Sequence, residues 1–252
     1  MKSRKEEPAE PAVVIKGLRK RFGRQVVLGG IDLAVMPGET MAVLGRSGTG
    51  KSVLLKLLIR LQEPDSGSIL IQGQEICSLG FRELNEVRKK IGFLFQQAAL
   101  YDSLTVEDNV AFPLVRHSQL SDEERRRRVR ELLSSVGMDK DLKKLPSEIS
   151  GGMQKRVGLA RALALNPEIL LFDEPTAGLD PITASEIDSL ISKLKAERKI
   201  TSIVVTHDIH GARSFADRVV VLNDGRILTT GTFAELQKSS DPLITRFLSE
   251  AA

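Results

Sequence analysis

The sequence predicts an α/β fold: a mostly parallel central sheet with helices on both faces, a small antiparallel β part beside it, and an inserted helical lobe. Three observations lead there. The runs Ile169-Leu170-Leu171-Phe172, Ile203-Val204-Val205 and Val219-Val220-Val221-Leu222 are apolar without alternation, as strands covered on both faces are. Short β-like segments cluster within residues 13–35 and again at 68–71. From about residue 98 to 165 the chain turns polar and helical in pattern, with a charge run at 122–130 and few strand signals.

In chain order, residues 1–11 are charged and proline-containing with no apolar h-region, which predicts a disordered tail and not a signal peptide. Val13-Val14-Ile15, Val26-Val27-Leu28 and Ile31-Asp32-Leu33-Ala34-Val35, with Ser68-Ile69-Leu70-Ile71 between Gly67 and Gly73, predict the antiparallel part. Met41-Ala42-Val43-Leu44 reads as a strand, and Val53, Leu54, Leu57, Leu58 and Leu61 follow at helical spacing. Ile91-Gly92-Phe93-Leu94-Phe95 predicts a further strand just before the lobe. Asn223-Asp224-Gly225 is expected to turn a hairpin between residues 219–222 and 227–228. The main domain is read as 12–235, with the lobe at about 98–165 and a helical tail at 236–252.

Between the strand at 41–44 and the helix after it stands Gly45-Arg46-Ser47-Gly48-Thr49-Gly50-Lys51-Ser52, the G-x-x-x-x-G-K-[ST] phosphate loop. At ordinary glycine content the pattern arises by chance in roughly one chain of this length in a hundred. Gly45, Gly48 and Gly50 are expected to take positive φ, bringing the amides of 46–52 against phosphate oxygens. The helix start near Lys51 aims its dipole and unpaired N–H groups at the same anion. Lys51 is placed to reach the β- and γ-phosphates, and the Ser52 hydroxyl to ligate Mg²⁺.

Four later features narrow the chemistry. The apolar run 169–172 ends in Asp173-Glu174, so a buried strand delivers Asp173 to a Mg²⁺ shell and Glu174 to an attacking water as general base. Ser150-Gly151-Gly152-Met153 opens another helix, with Ser150 as N-cap and two glycines that admit a close ligand. Two such anion devices cannot easily hold one γ-phosphate within a single subunit. The economical arrangement is a head-to-tail dimer with ATP between Lys51 of one copy and Ser150 of the other. Gln96, just past a strand end, can sense Mg²⁺ and the lytic water, with Gln97 as its rival; His207, at the end of 203–206, can contact the γ-phosphate. His117 and His210 read as solvent or packing histidines.

Bulk properties limit the alternatives. With 252 residues and 41% hydrophobic content the chain can bury a full core as one large or two-lobed domain. Its lone Cys77 excludes a disulfide framework, suits a reducing interior, and is expected to be a small buried or half-buried residue beside an Ile-rich segment. No apolar stretch reaches the ~18 residues that span a bilayer. The formal charge of +4 is spread among acidic residues, so nucleic acid is not expected as a partner.

In this order the motifs resemble those of the nucleotide-binding subunit of an ATP-binding-cassette (ABC) transporter, a P-loop NTPase, over about residues 12–235. By resemblance, 45–52 is the Walker A loop, Gln96 the Q-loop, 149–153 the signature, 169–174 the Walker B strand and His207 the switch histidine. Ala177-Gly178-Leu179-Asp180 is similar to the D-loop, with Asp180 its acid, and Phe22 falls where the family stacks an aromatic on adenine. The signature here ends in Met153 and not the usual Gln, which spares the backbone device but not a Gln side-chain role. The stretch 95–106, Lys155-Arg156-Val157, Asp180-Pro181-Ile182 and the ending Asp241-Pro242-Leu243-Ile244 with Phe247 resemble the ATPases of MCE-type (Mla-class) lipid transporters.

That resemblance implies an ATPase using ATP and Mg²⁺, working as a homodimer on the inner face of a membrane through an integral permease. For phospholipid transport it also implies an MCE-domain partner. The alternatives are the ATPase of an amino-acid-type importer and a soluble non-transport ABC ATPase. The absence of a coiled-coil, zinc or second-domain insertion argues against repair roles. Leu100, Tyr101, Leu104 and Val106 are expected around a groove that receives a permease helix, the competing reading being that they pack the lobe's own core.

Overall fold

The computed structural model describes residues 10–239, 241, 244 and 245, and the apolar runs form its central strands. The chain begins with β1 (Val13–Phe22), β2 (Gln25–Val35), β3 (Thr40–Leu44), α1 (Lys51–Leu58), β4 (Ser66–Ile71), β5 (Gln74–Glu75), α2 (Phe81–Lys89) and β6 (Ile91–Leu94). A helical stretch follows: α3 (Val106–His117), α4 (Asp122–Ser135), a 3-10 turn at Pro146–Glu148, and α5 (Gly151–Ala162). The chain returns through β7 (Ile169–Asp173), α6 (Pro181–Arg198), β8 (Thr201–Thr206), α7 (Ile209–Phe215), β9 (Arg218–Asn223), β10 (Arg226–Gly231) and α8 (Phe233–Leu236).

The main sheet has the order β10-β9-β3-β8-β7-β6 and is parallel except for the edge hairpin β9–β10. Its strands explain the unbroken apolar runs. Leu170 and Phe172 enter one core while Ile169 and Leu171 enter the other, and Val204 opposes Ile203 and Val205 in the same way. The hairpin turns where expected, with Asp224 and Gly225 at φ +45° and +70°, the two positive φ values that a type I′ turn requires.

The second sheet, β2-β1-β4-β5, is antiparallel and closes one core together with α1 and α2. The segments at 26–28 and 31–35 fuse into the single strand β2, which Gly30 bends at φ +112° without ending it. The other core lies beneath α3 to α7. Val110, Leu114, Leu132 and Leu133 of α3 and α4 join it alongside Leu94 and Phe172 of the sheet. The apolar side of the helical stretch therefore runs into the interior without a break.

Residues 1–9 of the expected N-terminal tail lie outside the described residues, as do Pro242, Leu243, Phe247 and most of the expected tail at 236–252. Ile244 is described and is buried against the core beneath the helices. Cys77 is half-buried, and burial pushes its thiol up to about 11, so it carries no thiolate reactivity near neutral pH.

Candidate nucleotide-binding and hydrolysis site

Every residue of β3 is buried, and the chain leaves it at Leu44 into the glycine-rich turn. Gly48 and Gly50 take positive φ, +83° and +100°, as the sequence predicts. Gly45 does not. Its requirement is room, since a Cβ there would stand 2.5 Å from the Leu222 carbonyl oxygen and 2.8 Å from Thr49 Oγ1. Thr49 closes the turn by donating from Oγ1 to the Arg46 carbonyl at 2.9 Å. Gly50 is the N-cap of α1 and supplies no side-chain cap, so the first amides of the helix have no side-chain oxygen competing for them. The buried Lys51 folds its ammonium back onto the Gly45 and Arg46 carbonyls at 2.7 and 3.1 Å.

β7, buried throughout, brings two carboxylates to the same place. Ser52 Oγ donates to Asp173 Oδ1 at 2.6 Å. Burial raises the Asp173 pKa above its usual value, against the Ser52 hydrogen bond that lowers it. Glu174 Oε1 lies 3.1 Å from Lys51 Nζ, with only 9% and 4% of the two side chains exposed. Its Oε2 accepts from the His207 main-chain N–H at 3.2 Å and sits 2.8 Å from His207 Nδ1. Glu174 itself holds φ +46°, uncommon for a residue with a side chain.

Phe22, Ser47, Gly48, Gly50, Lys51, Ser52, Gln96 and Glu174 line one cleft of about 380 Å³. Gln96 faces it and Gln97 does not, which separates the two amides that the sequence left as rivals. Phe22, 46% exposed, stands on the rim with Lys20 Nζ 5.3 Å from its ring centre, so it is not a core aromatic. Asp173 reaches the cleft through Ser52, and His207 through Glu174. Gly45, Arg46 and Thr49 shape the loop behind it. His117 and His210 are exposed, as the sequence suggests.

Ser150, Gly151, Gly152 and Asp180 do not line this cleft. Ser150 caps α5, accepting from the Met153 N–H at 3.2 Å. Asp180 caps α6, accepting from the Ile182 and Thr183 amides and, at 2.6 Å, from Thr183 Oγ1; the Thr183 bonds hold its carboxyl below the usual range. The first turns of α5 and α6 lie against each other, because a Cβ on Gly152 would clash with Thr183 Cγ2.

Sequence reasoning missed Val27, whose side of β2 forms part of the cleft wall, and it missed Lys155. The latter is buried on α5, and its ammonium donates to the Gln96 carbonyl and, at 3.1 Å, to the Glu174 carbonyl. Burial lowers its pKa to about 8, while Asp173 and Glu174 hold it up. A signal existed: 152, 155 and 159 share one helix face, and Gly152 and Leu159 are buried beside it.

The groove is not lined as the sequence expects. A depression of about 420 Å³ is walled by Phe93, Phe95, Tyr101 and Phe112. Of the four residues expected there, only Tyr101 takes part. Val106 is fully buried, because Thr105 caps α3 and turns the next residue inward; Leu100 packs on the core, and Leu104 is half-buried away from the depression.

A family model described as "ABC transporter" matches residues 28–177. The chain is 43% identical to the "Probable ribonucleotide transport ATP-binding protein mkl" of Mycobacterium leprae, over 96% of this chain and 70% of that protein. It is 42% identical to the "Intermembrane phospholipid transport system ATP-binding protein MlaF" of Haemophilus influenzae, over 94% and 89%. It is also 43% identical to the "Methionine import ATP-binding protein MetN" of Leifsonia xyli, over 89% and 66%. Among solved structures, the dimeric post-hydrolysis state of the ATP-binding cassette MJ0796 bound to ADP and Pi superposes with a TM-score of 0.81 at 37% identity, covering 87% of this chain and 98% of that one.

Proposed function

The chain belongs to the ABC transporter family and is one of its ATPases; from that premise we propose that it drives phospholipid transport with an integral permease and an MCE-domain protein. The hydrolytic part of this reading is carried by Glu174, a carboxylate held between Lys51 and His207 at the mouth of a phosphate loop. The lipid part is supported by the 42% identity to the phospholipid transporter ATPase. The methionine import relative favours a second reading, the ATPase of an amino-acid importer.

In the proposed mechanism the adenine stacks on Phe22, and the phosphates lie along the loop amides of 46–52 and the start of α1. Phosphate oxygens compete with Glu174 for the Lys51 ammonium. As Lys51 turns to them, Glu174 Oε1 becomes free to take a proton from the attacking water, while His207 keeps Oε2 in place and reaches toward the γ-phosphate. Gln96 orients the water from the opposite wall.

Mg²⁺ fits the donors present. The Ser52 hydroxyl and the Asp173 carboxylate are hard oxygen ligands 2.6 Å apart, and a cation beside Asp173 would offset the cost of burying its charge. Bound with the substrate, it would neutralise charge building on the phosphates.

Ser150, Gly151, Gly152 and Asp180 belong, in this reading, to the site of a second copy. Two copies close on two ATP molecules, and hydrolysis reopens them. The helical lobe, taken as about 98–165, carries that motion through the aromatic groove to the permease on the inner face of the membrane. No helix among the described residues is long and apolar enough to cross a membrane; in this reading the permease holds the subunit at the membrane.

The test is reconstitution with permease and MCE-domain protein in vesicles. ATP-dependent phospholipid movement between the two partners supports the reading. ATPase activity that responds to a soluble amino acid and its binding protein, and not to lipid, establishes the importer instead.

A further inference from the structure

The main-sheet ladder joins β6 to β7 as far as the pair Leu94 and Phe172. Two residues further along each strand stand Gln96 and Glu174, and both face the cleft. Neither is tied to the other by a ladder hydrogen bond, and Glu174 has already left strand geometry at φ +46°. Something else must hold these two chain ends in step.

Lys155 does so. Its side chain crosses from α5 beneath both strand ends, and the residue is only 4% exposed. One ammonium donates to the carbonyl of Gln96 and to the carbonyl of Glu174. On its other side the Glu174 N–H donates to the Val205 carbonyl at 2.9 Å, so the unusual backbone at Glu174 is gripped from β8 and from α5 at once. An ammonium has three donors and no acceptor, which suits the bridging of two carbonyls and leaves one N–H over.

We propose that Lys155 is a positioning residue: its buried ammonium clamps the main chain at Gln96 to the main chain at Glu174, so that the amide and the carboxylate meet substrate as one unit. It rests on the reading of Gln96 and Glu174 given above. Because α5 also begins with Ser150-Gly151-Gly152, the same clamp joins the segment offered to the second copy with the base of the first.

The test compares Lys155→Met, Lys155→Arg and Glu174→Gln in the full chain, measuring kcat and KM for ATP hydrolysis with Mg²⁺, the affinity for a fluorescent ATP analogue, and hydrogen exchange at residues 95–99. Lys155→Met should lower kcat about tenfold or more while analogue affinity stays within about twofold, and exchange at 95–99 should quicken. Lys155→Arg, which keeps a buried multi-donor cation, should recover most of kcat. The clamp is overturned if Lys155→Met turns over at the wild-type rate with Glu174→Gln inactive, or if both Lys155 variants lose kcat and affinity together with exchange at 95–99 unchanged. Should Lys155→Met fail to fold, slow exchange at 95–99 and near-normal kcat in Lys155→Arg support the clamp, and slow turnover there with wild-type exchange overturns it. Full activity in Glu174→Gln would instead remove the reading of the site on which the clamp depends.

Discussion

Lys51 Nζ and Glu174 Oε1 meet at 3.1 Å in a pair almost closed to solvent. One residue begins the helix after the phosphate loop and the other follows the end of a strand far along the chain, so the pair joins what are, in the proposed mechanism, the phosphate-binding and water-activating halves of the site. In the proposed mechanism a phosphate that engages the Lys51 ammonium would take it from Glu174, so arrival of substrate would expose the base. Two main-chain carbonyls and one carboxylate share that ammonium, which keeps the buried charge satisfied.

The contact of Gly152 with Thr183 predicts an intolerance that a second substitution relieves. Gly152→Ala would place a methyl 2.3 Å from Thr183 Cγ2, whose side chain is fixed by its bond to Asp180. Overpacking of this kind costs about 1–3 kcal/mol. Thr183→Ser removes the offending methyl and keeps the hydroxyl, so the double variant should melt close to the single Thr183→Ser protein. Thermal unfolding of the four proteins decides this, and strictly additive losses would refute the contact.

Much of the site is legible in the sequence because its determinants are local. The spacing of Gly48, Gly50, Lys51 and Ser52 encodes a turn and a helix start, and the run 169–172 encodes a buried strand whose end carries the acids. Contacts between distant segments are not encoded that way. No spacing rule brings Lys155 to two carbonyls, or shows that Gly45 is needed for space beside Leu222 and not for its φ. The groove failed for a related reason. Apolar residues at 100–106 say nothing about which way a loop faces, and the cap at Thr105 sends Val106 into the core.

Phe22 on the rim of the cleft should act on binding more than on chemistry. Phe22→Ala is expected to raise KM for ATP about fivefold or more, from the roughly 1–3 kcal/mol of base stacking, with kcat little changed. Steady-state kinetics suffice, and an unchanged KM would take the ring out of the adenine site.

Asp188 on α6 gives a pH-dependent stability. Burial, reinforced by the Asp208 carboxylate and opposed by His210, pushes its carboxyl from 3.8 up to about 6. The folded protein therefore holds this proton more tightly than the unfolded chain. The stabilisation is complete below the unfolded value and is lost as pH rises through about 6. Asp188→Asn, which cannot ionise, should be more stable than wild type at pH 8 by about 1–2 kcal/mol after allowance for solvent screening. The advantage should shrink as the pH falls from 6 to 4. Melts that differ equally at both ends of that range would contradict the assignment.

The central claim, that Glu174 activates water in a site completed by a second copy, is tested most directly by Glu174→Gln in MgATP. Turnover and oligomeric state are read on the same sample, by phosphate release and size-exclusion chromatography. The account predicts retained ATP binding, turnover lower by about two orders of magnitude or more, and a dimer that persists because closure no longer ends in hydrolysis. Wild-type turnover, or a variant that binds ATP and stays monomeric, would contradict it.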